Sequence, residues 1–293
     1  MDFTSASELL AICQRENLPI SQVMRQREID MAGTTADLAN QRMQKALDIM
    51  RNSAHEPIET PIRSMGGLIG GEARKLVNHY HEGKSICGDL LQRAMAHAMA
   101  VLEINASMGL IVAAPTAGSA GVVPGLLLAL QETYDLSDAR LLDGMFNAGA
   151  IGYLAMRNAT VAGAVGGCQA EVGVASAMAA SAAVELMGGT PQQCLYAGST
   201  VLMNMLGLVC DPVGGLVEYP CQNRNAAGVA NALIAAEMAL SGIVQLIPFD
   251  EMLETMYNVG RNLPSELRET ALGGCATTPS ACARCCLGGC AKA

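Results

Sequence analysis

Ala170 to Met187 reads AEVGVASAMAASAAVELM. Alanine is the best helix former because it loses no side-chain entropy on ordering, and Leu and Met follow closely. The stretch contains no Pro, and its only charges are Glu171 and Glu185, one near each end. A helix that is apolar nearly all round belongs in the interior of a large fold. The spacing predicts that it begins at Cys168-Gln169, directly after Gly166-Gly167.

Further helices are legible on both sides. Thr190-Pro191-Gln192-Gln193 is a strong helix start, with Thr as N-cap, Pro at the first position and Gln at the third. That helix is expected to run to about Leu208 and to deliver Cys210 just beyond its end. Asn225 to Ser241 and Asp250 to Asn258 read as two more, the latter with Gly260 as C-cap. Upstream, Ser5-Ala6-Ser7-Glu8 reads as a capping box whose helix stops at Pro19. A second helix follows from about Ile20 to Met31, and Thr35 caps a third that runs past Met43, Leu47 and Met50. Asp89 to Glu103 forms another, and Ser137 caps a helix through Phe146 with a separate one continuing to about Asn158. Alternating β patterns are few and no repeat of fixed period occurs. The fold class is all-α, a multi-helix globular domain around a buried apolar helix. The domain is expected over residues 1–279, with a Cys-rich tail over 280–293.

Composition bounds the function. Hydrophobic residues make up 51% of the chain but aromatics only 3%, so the core must be built from aliphatic residues and from 18 Met. The formal net charge of -9 argues against a nucleic-acid partner, which calls for a basic patch. Ile104 to Gln131 and Leu186 to Cys210 each carry no charge and are long enough to span a bilayer. Pro115, Gly118, Gly121 and Pro124 break the first, however, and Gln192, Gln193 and Asn204 make the second too polar, so no membrane span is expected. Met1-Asp2-Phe3-Thr4 shows neither a basic nor an apolar leader region, which points to the cytoplasm. There, 11 cysteines suggest metal or catalytic chemistry more than disulfides.

Three cysteines stand at bends: Gly166-Gly167-Cys168-Gln169, Val209-Cys210-Asp211-Pro212 and Tyr219-Pro220-Cys221-Gln222. Two readings are open. Free Cys is commonly a small buried core residue. Thiols on separate turns can also converge on one metal, and three without a fourth would suit a four-iron cluster with one open iron. None of the three forms a C-x-x-C pair.

Other motifs weigh less. Ser64 to Gly71 is Gly-rich but lacks dinucleotide-loop spacing. Gly83-Lys84-Ser85 resembles the end of a phosphate loop, yet Asn78 stands where that loop needs Gly. His79-x-His81 could bind a metal, but an exposed helix end explains it equally well. Asn105 to Gly125 combines small residues, prolines and hydroxyls, and suits either a turn between helices or a ligand-binding loop.

The segments GGCQAEVGV (Gly166–Val174), LGLVCDPVGGLV (Leu206–Val217) and PCQNRNA (Pro220–Ala226) resemble the alpha subunit of bacterial iron–sulfur-dependent L-serine dehydratase. SMGGLIGGE (Ser64–Glu72) and APTAGSAGVVPG (Ala114–Gly125) share the likeness, which runs from about Ser5 to about Pro279. The resemblance implies that Cys168, Cys210 and Cys221 hold a [4Fe-4S] cluster, with their sulfurs within roughly 6–8 Å of one another. It implies dehydration and deamination of L-serine to pyruvate and ammonia without pyridoxal phosphate. The open iron would act as a Lewis acid on the serine hydroxyl. It also implies a separate beta subunit that completes the active site.

The general base stays open among Lys75, Ser119 and Glu171, each of which has a structural explanation as well. Asn105, Thr116, Arg224 and Asn225 are candidate substrate contacts. Arg224 suits a bidentate carboxylate contact or a pair with Asp211, and Asp211 and Glu218 suit loop orientation. The tail departs from the family with Cys282, Cys285, Cys286 and Cys290. Cys290 is a candidate tail ligand to the cluster or a spare thiol, and Cys282-x-x-Cys285 is a candidate for a second metal site. Two rival functions are a related dehydratase or desulfidase on another amino acid, and a non-enzymatic iron–sulfur or zinc redox sensor.

Overall fold

The computed structural model describes residues 1–284, and within them the chain forms thirteen α-helices and no β-strand. Helices α1 (Ala6–Glu16), α2 (Ile20–Ala32) and α3 (Ala36–Glu59) make an amphipathic outer layer. The Ser64–Gly71 loop leads to α4 (Glu72–His81) and α5 (Gly88–Ala106). After a second loop come α6 (Val122–Tyr134), α7 (Asp138–Asn158) and the single turn α8 (Gly163–Gly166). A π-helical turn (Gln169–Gly173) opens α9 (Val174–Leu186), and α10 (Pro191–Asn204) follows. The chain then forms α11 (Cys221–Leu240), α12 (Phe249–Arg261) and α13 (Pro279–Arg284).

Every residue of α9 is buried, and α6, α7, α10 and α11 surround it. The reason lies in side-chain size. Alanines on α9 leave shallow ridges, and small residues on its neighbours let the helix axes approach. A Cβ on Gly228 of α11 would lie 2.8 Å from Ser176 Oγ and 3.0 Å from Val172 Cγ1, so only glycine permits this contact. The buried polar groups near α9 are paired. Glu185 accepts from Asn147 Nδ2 at 2.6 Å and from the Ser21 N–H at 3.2 Å, and Ser181 Oγ donates to Asn147 Oδ1 at 2.6 Å.

Several expected boundaries shift. The apolar helix does not run regularly from Cys168. Its first turn is π-helical, because the Gln169 side chain is tied outward, donating to Gly166 O and Met256 O and accepting from the Gly207 N–H. Ser137 caps one unbroken helix, not two, since nothing between Phe146 and Asn158 breaks the hydrogen-bond ladder. Gly260 lies inside α12 rather than capping it, and its missing side chain serves close packing. Helix α11 starts at Cys221, four residues before Asn225, so that cysteine is a helix N-terminus. Helix α10 stops at Asn204, and a turn carries the chain on to Cys210.

The N-caps hold where they were expected, with one difference. Thr190 and Gln193 form the full reciprocal box. Ser5 accepts from the Glu8 N–H, but the Glu8 carboxylate turns to Thr4 instead of Ser5. Ile104 to Gln131 divides into the end of α5, a loop and α6, and no helix of the described residues is long and apolar enough to cross a membrane. The eight cysteines among the described residues are free thiols. Cys282 lies in α13, whereas Cys285, Cys286 and Cys290 lie outside the described residues.

Candidate functional site

Each of the three bend cysteines is positioned by a different device. Cys168 follows Gly167, whose φ of +75° is a left-handed conformation that a side chain would strain. Helix α12 presses on this turn through Gly260, where a Cβ would lie 2.6 Å from Gly166 Cα. Cys210 is held in extended conformation by the C-terminal segment. Its N–H donates to Leu267 O at 2.9 Å, and its carbonyl accepts from the Glu269 N–H at 2.7 Å. Cys221 is the first residue of α11, and its carbonyl accepts from Asn225 Nδ2 at 2.9 Å.

The Cys168 sulfur, the Cys210 sulfur and a carboxylate oxygen of Glu171 all lie within 4.8 Å of one another. All three cysteines are buried. The Cys168 thiol is held below its ordinary pKa, chiefly because Cys210 donates a hydrogen bond to it. Burial opposes the shift and Arg224 assists it. Cys210 is pushed up as the partner that keeps the proton. Burial, reinforced by Cys168 and Glu171, pushes Cys221 up to about 12. Glu171 is raised to about 7 by burial, with repulsion from Glu269 added, while Thr116 and Gly163 pull the other way. Glycine walls confine that carboxyl. A Cβ on Gly163 would lie 2.9 Å from Glu171 Oε2 and 3.1 Å from Cys210 Sγ, and one on Gly118 would lie 3.4 Å from Glu171 Oε2.

Arg224 connects the thiols to the outside. Its Nη1 lies 3.6 Å from Cys168 Sγ and donates to Val209 O at 2.9 Å, while Nη2 pairs with Asp211 Oδ1 at 2.7 Å. Asp211 Oδ2 in turn accepts from the Cys275 N–H at 2.6 Å. Cys275 lines a cleft of about 650 Å³, together with Leu68, Val213 and Tyr219. Of the two roles open to Arg224, the structure thus shows the pair with Asp211. Glu218 orients its loop in the same manner. Buried at 2% exposure, it accepts from Ser64 Oγ at 2.7 Å, the Gly66 N–H at 2.6 Å and the Leu68 N–H at 2.9 Å.

The remaining candidates divide. Asn225 accepts from the Gly121 N–H and donates to Gly118 O, bracing the Ala114–Gly125 loop against α11. Thr116 and Ser119 share a 3.1 Å hydroxyl contact in that loop. Lys75 stands on the exposed side of α4, paired with Glu72 at 3.2 Å, and Asn105 sits in the last turn of α5. Neither of these two is brought to the sulfur pair. Sequence reading missed Glu269 and Gln169, whose roles depend on segments far apart in the chain.

Residues 15–276 match the family described as Serine dehydratase alpha chain. The chain is 47% identical over 278 residues to a probable L-serine dehydratase alpha chain of Bacillus subtilis, covering 95% of this chain and 92% of that one. It is 44% identical over 272 residues to the L-serine dehydratase alpha chain of Peptoniphilus asaccharolyticus, with 93% of each covered. The chain belongs to the serine dehydratase alpha chain family. An L-serine dehydratase of Helicobacter pylori is 37% identical over 283 residues, and there the match takes in 94% of this chain but 62% of the relative. All the alpha-chain segments singled out in the sequence border the sulfur pair, the Glu218 anchor or the Asn225 brace.

The donor set suits an iron–sulfur cluster in its chemistry. Soft thiols come from three separate segments, with the Cys168 and Cys210 sulfurs within 4.8 Å of each other, sit away from water, and have one cation at Cys168 that favours the thiolate.

Proposed function

We propose that this chain is the cluster-bearing subunit of an L-serine dehydratase, a lyase that converts L-serine to pyruvate and ammonia without pyridoxal phosphate. The observation that carries this reading is the convergence of Cys168, Cys210 and Glu171 beside Arg224 in a chain of this family. Cys168, Cys210 and Cys221 would hold a [4Fe-4S] cluster, whose non-Cys iron supplies a Lewis acid for departure of the β-hydroxyl.

The chain's own residues supply the rest. Glu171 is the carboxylate placed to take the Cα proton, and its buried pocket keeps that proton from bulk water. Loss of the hydroxyl leaves aminoacrylate, whose imine form hydrolyses to pyruvate and ammonia. Arg224 fixes Cys168 and the Asp211 loop in place. Asn225 holds the Thr116–Ser119 loop over Glu171.

A beta subunit would complete the pocket, in the cytoplasm. Met65, Met108 and Leu110 are 74%, 78% and 71% exposed, and the Met65 N–H bonds Ala106 O, which brings the Ser64–Gly71 loop against the end of α5 that leads to the other two. Such exposed apolar side chains suit a permanent partner.

The test is anaerobic reconstitution of the chain with its partner, followed by assay against L-serine, D-serine, L-threonine and L-cysteine. Ser replacement of Cys168, Cys210 or Cys221 is expected to remove the absorbance near ~400 nm, iron and turnover together. Glu171→Gln is expected to keep the iron and lose roughly 10²–10⁴-fold in kcat. A full four-iron complement in any Ser variant would remove that residue from the ligand set. Preference for another amino acid would overturn the substrate.

A further inference from the structure

We infer that His55, His97 and Glu132 form a second metal site, selective for a borderline divalent cation such as Zn²⁺, that clamps α3, α5 and α6 together. The three side chains come from three helices, and their ligand atoms lie within 4.8 Å of one another. His55 Nε2 lies 3.1 Å and His97 Nε2 3.0 Å from the same oxygen, Glu132 Oε1. Ligands bound tetrahedrally at the usual zinc distances of about 2.0–2.2 Å stand roughly 3.3–3.5 Å apart. Both observed spacings are close to that edge length.

The hydrogen bonds on the far side of each ring sharpen the case. His55 Nδ1 faces Arg51 O at 2.7 Å, and His97 Nδ1 faces Ala54 O at 3.4 Å. A carbonyl only accepts, so His55 Nδ1, at 2.7 Å, carries a proton and a neutral His55 ring presents a bare Nε2, whereas the 3.4 Å contact fixes no tautomer for His97. Both Nε2 atoms point at one carboxylate oxygen. The His55 contact is repulsive in the neutral ring unless positive charge sits between the two atoms. A backbone carbonyl behind each ring is also the arrangement that orients metal-binding histidines.

A proton on His55 could supply the charge, as could one divalent cation. Arg93 Nη1 holds the other carboxylate oxygen, Glu132 Oε2, at 3.3 Å. Arg93 is itself paired with Asp89 at 2.9 Å, and the Arg51 guanidinium is turned to Asp138 at 2.7 Å. Oε1 is therefore left for the two imidazoles alone. His97 is buried, whereas the side chains of His55 and Glu132 keep 40% and 28% exposure, so water can reach the fourth coordination position. Nothing in the proposed serine chemistry uses these residues.

The experiment is Zn²⁺ binding to the full chain after anaerobic cluster reconstitution, so that the three bend thiols are occupied. Equilibrium dialysis, thermal unfolding with and without Zn²⁺, and the absorption of a Co²⁺ substitute are the readouts. The wild type is expected to bind one equivalent at neutral pH, with a raised unfolding midpoint and no sulfur-to-cobalt band. His55→Gln and Glu132→Gln are expected to weaken binding at least 10-fold, as loss of a metal ligand should. Binding should also weaken as the pH falls and protons compete for the imidazoles. His55 is half-exposed, so His55→Gln decides the matter if the Glu132 variant does not fold. A His79→Gln/His81→Gln variant is expected to bind like the wild type. Unchanged binding in His55→Gln, loss only in the His79/His81 variant, a thiolate band with Co²⁺, or no binding by the wild type would each overturn the site.

Discussion

Replacing Glu218 by Gln should uncouple the Ser64–Gly71 loop from the Cys210–Cys221 segment. In the native protein Glu218 Oε2 accepts from Ser64 Oγ and the Leu68 N–H, and Oε1 accepts from the Gly66 N–H. Gln offers one acceptor oxygen and one amide group. With its oxygen at the Oε2 position, it keeps two bonds as neutral ones and sets its amide against the Gly66 N–H. One charge-assisted bond is lost, worth about 1.5–3 kcal/mol, and two are weakened. The easier burial of Gln offsets part of this, leaving a net loss of about 3 kcal/mol. That corresponds to roughly 150-fold in the equilibrium between closed and open loop. Amide exchange at Gly66 and Leu68 should therefore accelerate by about two orders of magnitude. The urea midpoint should fall by roughly 1 M if the slope is about 3 kcal/mol per molar. Exchange within twofold of the wild type, with an unchanged midpoint, would refute the view that this carboxylate anchors the loop.

Other perturbations separate packing, charge and protonation. Gly260→Ala drives a methyl group against Gly166 and should cost about 1–3 kcal/mol. Gly149→Ala, in open space on α7, should gain about 0.5–1 kcal/mol, both read by thermal unfolding. Arg224→Met leaves Asp211 buried without its cation and should cost about 3–5 kcal/mol in urea, with partial recovery in the Arg224→Met/Asp211→Asn double variant. Burial raises the Glu103 carboxyl above its ordinary value. Its contribution to stability is thus fully present below the unfolded-state pKa and is lost as pH rises through the folded-state one. Glu103→Gln should flatten that decline, measured by urea midpoints across the acid-to-neutral range.

Much of the fold was readable because local signals and burial agree. The Ala170–Met187 stretch announces its interior position through composition, and Thr190-Pro191-Gln192-Gln193 announces a helix start through chemistry that closes within four residues. What escaped reading depends on partners distant in sequence. The π turn at Gln169 exists because Met256 and Gly207 capture that side chain. The start of helix α4 was missed because its N-terminus has Gly71 and no capping side chain. Cys168 and Cys210 stood out by their bends, yet the Glu269 N–H that holds Cys210 and the Gly163 that leaves room for Glu171 carry no motif of their own. Lys75 looked equivalent to Glu171 as a proton acceptor until burial distinguished them.

The clamp on Cys210 also sets an order of assembly. Both backbone groups of that cysteine are held by Leu267 and Glu269, more than fifty residues further along the chain. During synthesis all three bend cysteines leave the ribosome before the segment that fixes one of them. Helices α5 to α11 can gather around α9 beforehand, but the geometry at Cys210 waits for the last loop to dock. A nascent chain stopped near residue 262 would carry every thiol of the site and still present Cys210 on an unpinned strand. Loading of the proposed cluster would thereby wait until almost the whole domain has folded.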